Sequence, residues 1–143
     1  MRRWRIRGAL LVIGAFGAIA TAGVAWQGVV SAAAEEGGAM VAVTPPGQID
    51  PLAETGARIF AAVCADCHGA NAAGRAGKGP PLIHRIYEPS HHADESFQRA
   101  VAHGVRAHHW PFGDMAPVPG LTRADVAAVV AWVRAVQRAN GIE

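Results

Sequence analysis

Apolar positions along the chain fall into four runs with different periods. Residues 8–30 are apolar nearly throughout, with Thr21 and Gln27 the most polar members. As a helix, this run reaches roughly 35 Å, enough to cross a bilayer core of about 30 Å. Ala57, Ile59, Phe60 and Val63 recur at three- and four-residue spacing and predict a helix over 54–63. Phe97 and Val101, four apart behind Asp94 as a candidate cap, predict a shorter helix over 95–102. Thr122 followed by Asp125 resembles a capping box with Asp in place of Glu or Gln. From there Val126, Val129, Val130, Val133 and Val136 mark one stripe with Trp132 alongside, and Asn140-Gly141 ends it. No strand-like alternation of any length appears. The pattern predicts an all-α fold of short helices and Gly/Pro-rich loops, with too little apolar stripe to build a rich core unaided.

Between the first two runs, residues 35–53 (EEGGAMVAVTPPGQIDPLA) have mixed polarity, Gly-Gly and Pro-Pro-Gly, and no sustained period. They are expected to form a flexible linker able to reach about 60 Å. The chain thus divides into an N-terminal membrane anchor or signal segment (1–34), a linker (35–53) and a folded domain (54–143). Arg2, Arg3, Arg5 and Arg7 would keep the N-terminus in the cytoplasm, with Trp4 and Trp26 near the two interfaces. Ser31-Ala32-Ala33-Ala34 offers the small residues of a signal cleavage site. The apolar run is longer than the usual signal core of about 7–15 residues, which favours an uncleaved anchor over a removed signal. Either reading exports the remainder.

Charge changes the picture in one respect. All 11 acidic residues lie at Glu35 or later, where nine Arg and Lys face them, so the pI near 8.9 is set by the leader. It therefore gives no argument for nucleic acid binding. Two cysteines, Cys64 and Cys67, are too few for a disulfide scaffold.

Those cysteines stand in Cys64-Ala65-Asp66-Cys67-His68, a C-x-x-C-H sequence that is the attachment signature of c-type haem. Two thiols add across the haem vinyl groups, and the next residue presents its imidazole to the iron from the same turn. A thioredoxin-like pair would want βαβ alternation, and a structural zinc site a second ligand pair; neither surrounds the motif. The haem would also supply the missing apolar filling. For the second axial position, Met115 is the only methionine downstream, set in a Gly/Pro-rich loop before the last helix. A thioether favours ferrous iron and raises the reduction potential. The rivals are His103, His108 and His109, which would make a bis-histidine centre.

On these residues, 54–141 resemble a class I cytochrome c. Gly56-Ala57-Arg58-Ile59-Phe60 is similar to the family's N-terminal helix, whose Gly and aromatic positions cross the C-terminal helix, and Trp132 falls where the family keeps an aromatic. Gly79-Pro80-Pro81-Leu82 resembles the family's Gly-Pro-x-Leu segment. The resemblance implies that the Pro80 carbonyl accepts the His68 Nδ1 proton, and that Met115 is the distal ligand. The leader and linker resemble membrane-anchored bacterial members. The chain departs from the family in the histidine-rich stretch 87–110 and in having one lysine, Lys78, where many members dock through a lysine ring. Arg75, Arg85, Arg99 and Arg106 are the substitutes on offer.

The expected function is that of a mono-haem one-electron carrier, not an enzyme, with one haem c on Cys64 and Cys67. It would sit on the periplasmic side of a bacterial inner membrane, held by the single-pass anchor or soluble after signal cleavage. Its partners would be redox complexes. A quinol-oxidising complex or dehydrogenase would serve as donor, and an oxidase, reductase or photosynthetic centre as acceptor. The alternatives are a haem-bearing subunit of a larger oxidoreductase and a ligand-binding haem sensor. Arg85, Tyr87 and Trp110 are candidate partners for the haem propionates. The remaining histidines read as surface or capping side chains, with His91-His92 and His108-His109 open to copper or zinc.

Overall fold

The structure, a computed structural model, describes residues 37–143; the anchor or signal segment expected over 1–34 lies outside them. The first helix begins where an aspartate precedes a proline. Asp50 Oδ1 accepts from the Ala53 N–H at 2.9 Å and Pro51 fills the first turn, where its missing N–H is no loss. Helix α1 covers Pro51–Ile59, widens into one π-type turn over Phe60–Cys64, and tightens again as α2, Ala65–His68. The helix therefore starts three residues earlier than the stripe predicts and runs on through the haem motif.

Helix α3 spans Asp94–His103, with Ala93 rather than Asp94 at the cap position. The Asp94 carboxylate turns instead to Arg134, accepting from Nε at 2.9 Å. Helix α4 spans Arg123–Ala139 behind the expected capping box. Thr122 Oγ1 accepts from the Asp125 N–H at 3.2 Å, and Asp125 Oδ2 accepts from the Thr122 N–H at 2.8 Å. Short 3-10 turns occur at Ala70–Ala72 and Arg85–Tyr87. Among the described residues there is no strand, only three isolated bridges, and no helix is long and apolar enough to cross a membrane.

Helices α1 and α4 cross at Gly56. A Cβ there would lie 1.8 Å from the Ala128 carbonyl oxygen, so the two backbones meet with no room for a side chain. One turn on, the buried Phe60 ring tilts against Trp132 with centroids 4.6 Å apart. Val129, Val133 and Val136 complete this core, each apolar side chain contributing about 1.5–3 kcal/mol by leaving water.

The segment expected as a free linker is fastened to the domain over its described part. Gly37 N–H donates to Ala76 O at 3.0 Å, and Met40 and Val41 both donate to Ala73 O at 3.1 Å. Thr44 and Asn140 exchange two bonds, 2.9 and 2.8 Å. The cause is a short period-two pattern: Val41 and Val43 turn inward while Ala42 and Thr44 face solvent.

A second unexpected feature is Arg134, buried in the middle of α4. Its Nη1 donates to Tyr87 O at 2.6 Å and to Gln137 Oε1 at 2.7 Å, its Nη2 donates to His92 O, and its guanidinium lies 5.1 Å over the Phe97 ring. Gln137 adds bonds to Leu82 O and Tyr87 O, at 2.9 and 3.1 Å. Together the two side chains hang the 82–92 loop from α4.

Candidate functional site

The helices and loops enclose a cavity of about 1020 Å³, lined by Cys64, Cys67 and His68 on one wall and by Met115 on the loop side. Phe60, Val63, Leu82, Val101 and Val129 make its apolar surface. The two cysteines are not joined to each other in a disulfide. They sit three apart, with His68 one turn beyond Cys64, so helical spacing puts all three on one side of the helix. The π-type turn that ends at Cys64 adds a residue to the helix just before the motif. Burial pushes the Cys64 thiol up to about 11, the neighbouring Cys67 adding to it, so this thiol is un-ionised at neutral pH.

His68 Nδ1 lies 2.9 Å from Pro80 O. A carbonyl only accepts, so the proton is on Nδ1 and Nε2 keeps its lone pair for a metal. Burial draws the His68 pKa down, with the Pro80 bond opposing. Gly79 lets this loop close on the helix: a Cβ there would come within 2.6 Å of Cys67 O.

On the other side, Met115 is held by a two-way backbone pair with Val105, 2.9 Å in each direction. Gly104 makes that pair possible. It ends α3 with φ +73, and a Cβ would lie 2.4 Å from Met115 O. Gly79 was marked in the sequence by Gly79-Pro80-Pro81-Leu82, whereas Gly104 was not singled out; its signal was a glycine directly after a helix-ending His103.

The suggested propionate partners separate. Tyr87 and Trp110 line the cavity, and burial raises the Tyr87 pKa. Arg85 is exposed and does not line it. Trp110 Nε1 is buried beside the Tyr87 hydroxyl without a well-formed hydrogen bond, a donor that an acidic group in the cavity would satisfy. His103, His108 and His109, the rival axial residues, also line the cavity but are exposed. His91, His92, His108 and His109 form a cluster at its rim, with ring centroids 4.2–6.3 Å apart. Among the arginines, Arg99 and Arg106 join Lys78 at the cavity. Arg75 is bound to Asp66, 2.6 Å away.

A large, mostly apolar cavity with two thiols, one oriented imidazole and one poorly bonded indole donor fits a covalently attached haem. The fold and site define a small helical haem domain of the c type. A sequence model of the Cytochrome c family matches residues 53–137, more than half the chain, and the protein belongs to that family. It therefore carries covalently bound haem c and is a haem-based electron-transfer protein. The chain has no match among curated proteins and none among solved structures.

Proposed function

We propose that this protein is a dedicated one-electron carrier whose iron is closed on both sides, by His68 through Nε2 and by Met115 through sulfur. The observation that carries this reading is the pair of supports that two separate loops provide at one cavity. Pro80 O fixes the His68 tautomer, and the Val105 pairing seats Met115 at the same cavity. Haem c bound here supplies a reversible ferric/ferrous couple. The chain contributes ligand identity, an apolar wall that excludes water, and Gly/Pro-framed loops that keep the ligands in place. Cys64 and Cys67 prevent loss of the group, and Tyr87 O–H and Trp110 Nε1–H are the donors placed for its carboxylates. With no open position, the protein is a carrier and not a catalyst.

The apolar run 8–30 and its arginines support an inner-membrane anchor, with the domain on the periplasmic side. There it would take electrons from a quinol-oxidising complex or dehydrogenase and deliver them to an oxidase, reductase or photosynthetic centre. The test is carbon monoxide added to the reduced holoprotein. An unchanged absorption spectrum is expected of a closed iron; ready binding would overturn the carrier reading and favour a ligand sensor.

A further inference from the structure

With His68 and Met115 as the proposed iron ligands, the histidine cluster at the cavity rim is left for another ligand. His91 and His92 come from the loop before α3, and His109 from the loop after it. Their ligand nitrogens all lie within 4.8 Å of one another. Each pair of rings is in range, with centroids 4.8 Å apart for His91 and His92, 5.5 Å for His91 and His109, and 5.3 Å for His92 and His109.

We propose that His91, His92 and His109 form a binding site for one divalent transition-metal ion of the zinc and copper type, separate from the haem iron. Three imidazoles with no oxygen ligand from the protein select borderline ions and reject magnesium and calcium. His92 is prepared for the role. Its Nδ1 donates to the Ile86 carbonyl, which fixes the tautomer and leaves Nε2 free, the arrangement that ligating histidines adopt. Its own carbonyl is gripped by Arg134, so this ligand is built into the frame. His91 and His109 are exposed and free to turn. Tetrahedral coordination at about 2.0–2.1 Å puts ligand nitrogens roughly 3.3 Å apart. Small rotations of the two exposed rings close the gap from 4.8 Å, and water takes the fourth position. His108, whose Nδ1 donates to Arg106 O at 2.8 Å, stands beside the site without belonging to the triad.

The test uses the full chain with haem attached, purified without a histidine tag. Zinc sulfate is titrated calorimetrically into the unaltered protein and into His91→Ala and His109→Ala. These exposed positions leave the fold intact. Expected are saturation at one ion per chain, affinity about tenfold or more weaker in each variant, and no saturable heat from magnesium. Electron paramagnetic resonance of the copper-loaded protein should show nitrogen hyperfine structure from three imidazoles, simplified in His109→Ala. Absence of saturable zinc binding, or unchanged affinity in either variant, would overturn the site.

Discussion

Single side chains secure the two walls of the cavity in different ways. His68 is steered by a carbonyl, whereas Met115 depends on its own backbone pairing with Val105. Met115→Ala keeps that pairing and removes only the sulfur. The reduction potential should fall by on the order of 0.1 V, within the roughly 0.8 V span that axial ligands command, and the reduced protein should begin to bind carbon monoxide. Redox titration and optical spectra check both; no change in either would remove Met115 from the iron. Arg134 acts on stability. Arg134→Met strands the His92 carbonyl and leaves Tyr87 O with Gln137 as its one remaining side-chain donor, and the urea midpoint should drop by the equivalent of about 2–4 kcal/mol. Cys64, Cys67 and His68 were readable because their spacing is chemistry, whereas Met115 stood out as the one methionine downstream of them. Arg134 was not, because its carbonyl partners lie 42 and 47 positions away and their acceptors carry no residue signature.

At the level of helices, the apolar stripes located α3 and α4 closely, and the Thr122–Asp125 box marked its start to the residue. The beginning of α1 was missed because Asp50-Pro51, a cap followed by a first-turn proline, sat among prolines and glycines that read as linker. The crossing of α1 and α4 was legible only through the family resemblance, since a glycine in a helix has no unique meaning by itself. Gly56→Ala tests it. The obstacle is the backbone of Ala128 and Val129, which cannot rotate aside, so a loss of about 3 kcal/mol or more is expected in chemical unfolding. The capping box adds a pH dependence. The Thr122 hydroxyl and backbone N–H hold the Asp125 carboxyl below its ordinary value. A depressed folded pKa means this stabilisation is fully present above about pH 4 and disappears as pH falls through the folded value. Urea midpoints measured from pH 5 downward should decline less steeply in Asp125→Asn, and identical slopes would count against the cap.

For the molecule as a whole, charge is arranged against the average. Residues 35–143 carry more acids than bases, yet Lys78, Arg99 and Arg106 stand at the cavity. A partner that approaches this face with carboxylates would be steered to it. Neutralising the three together should slow electron exchange with such a partner several-fold at low ionic strength and flatten its salt dependence in stopped-flow measurements.

The suspension of the 82–92 loop from α4 bears on the order in which the molecule is assembled. Arg134 and Gln137 hold that loop through contacts made wholly by protein, so the far wall needs no cofactor to take shape. Haem attachment at Cys64 and Cys67 would then proceed against a wall that the chain builds from its own bonds.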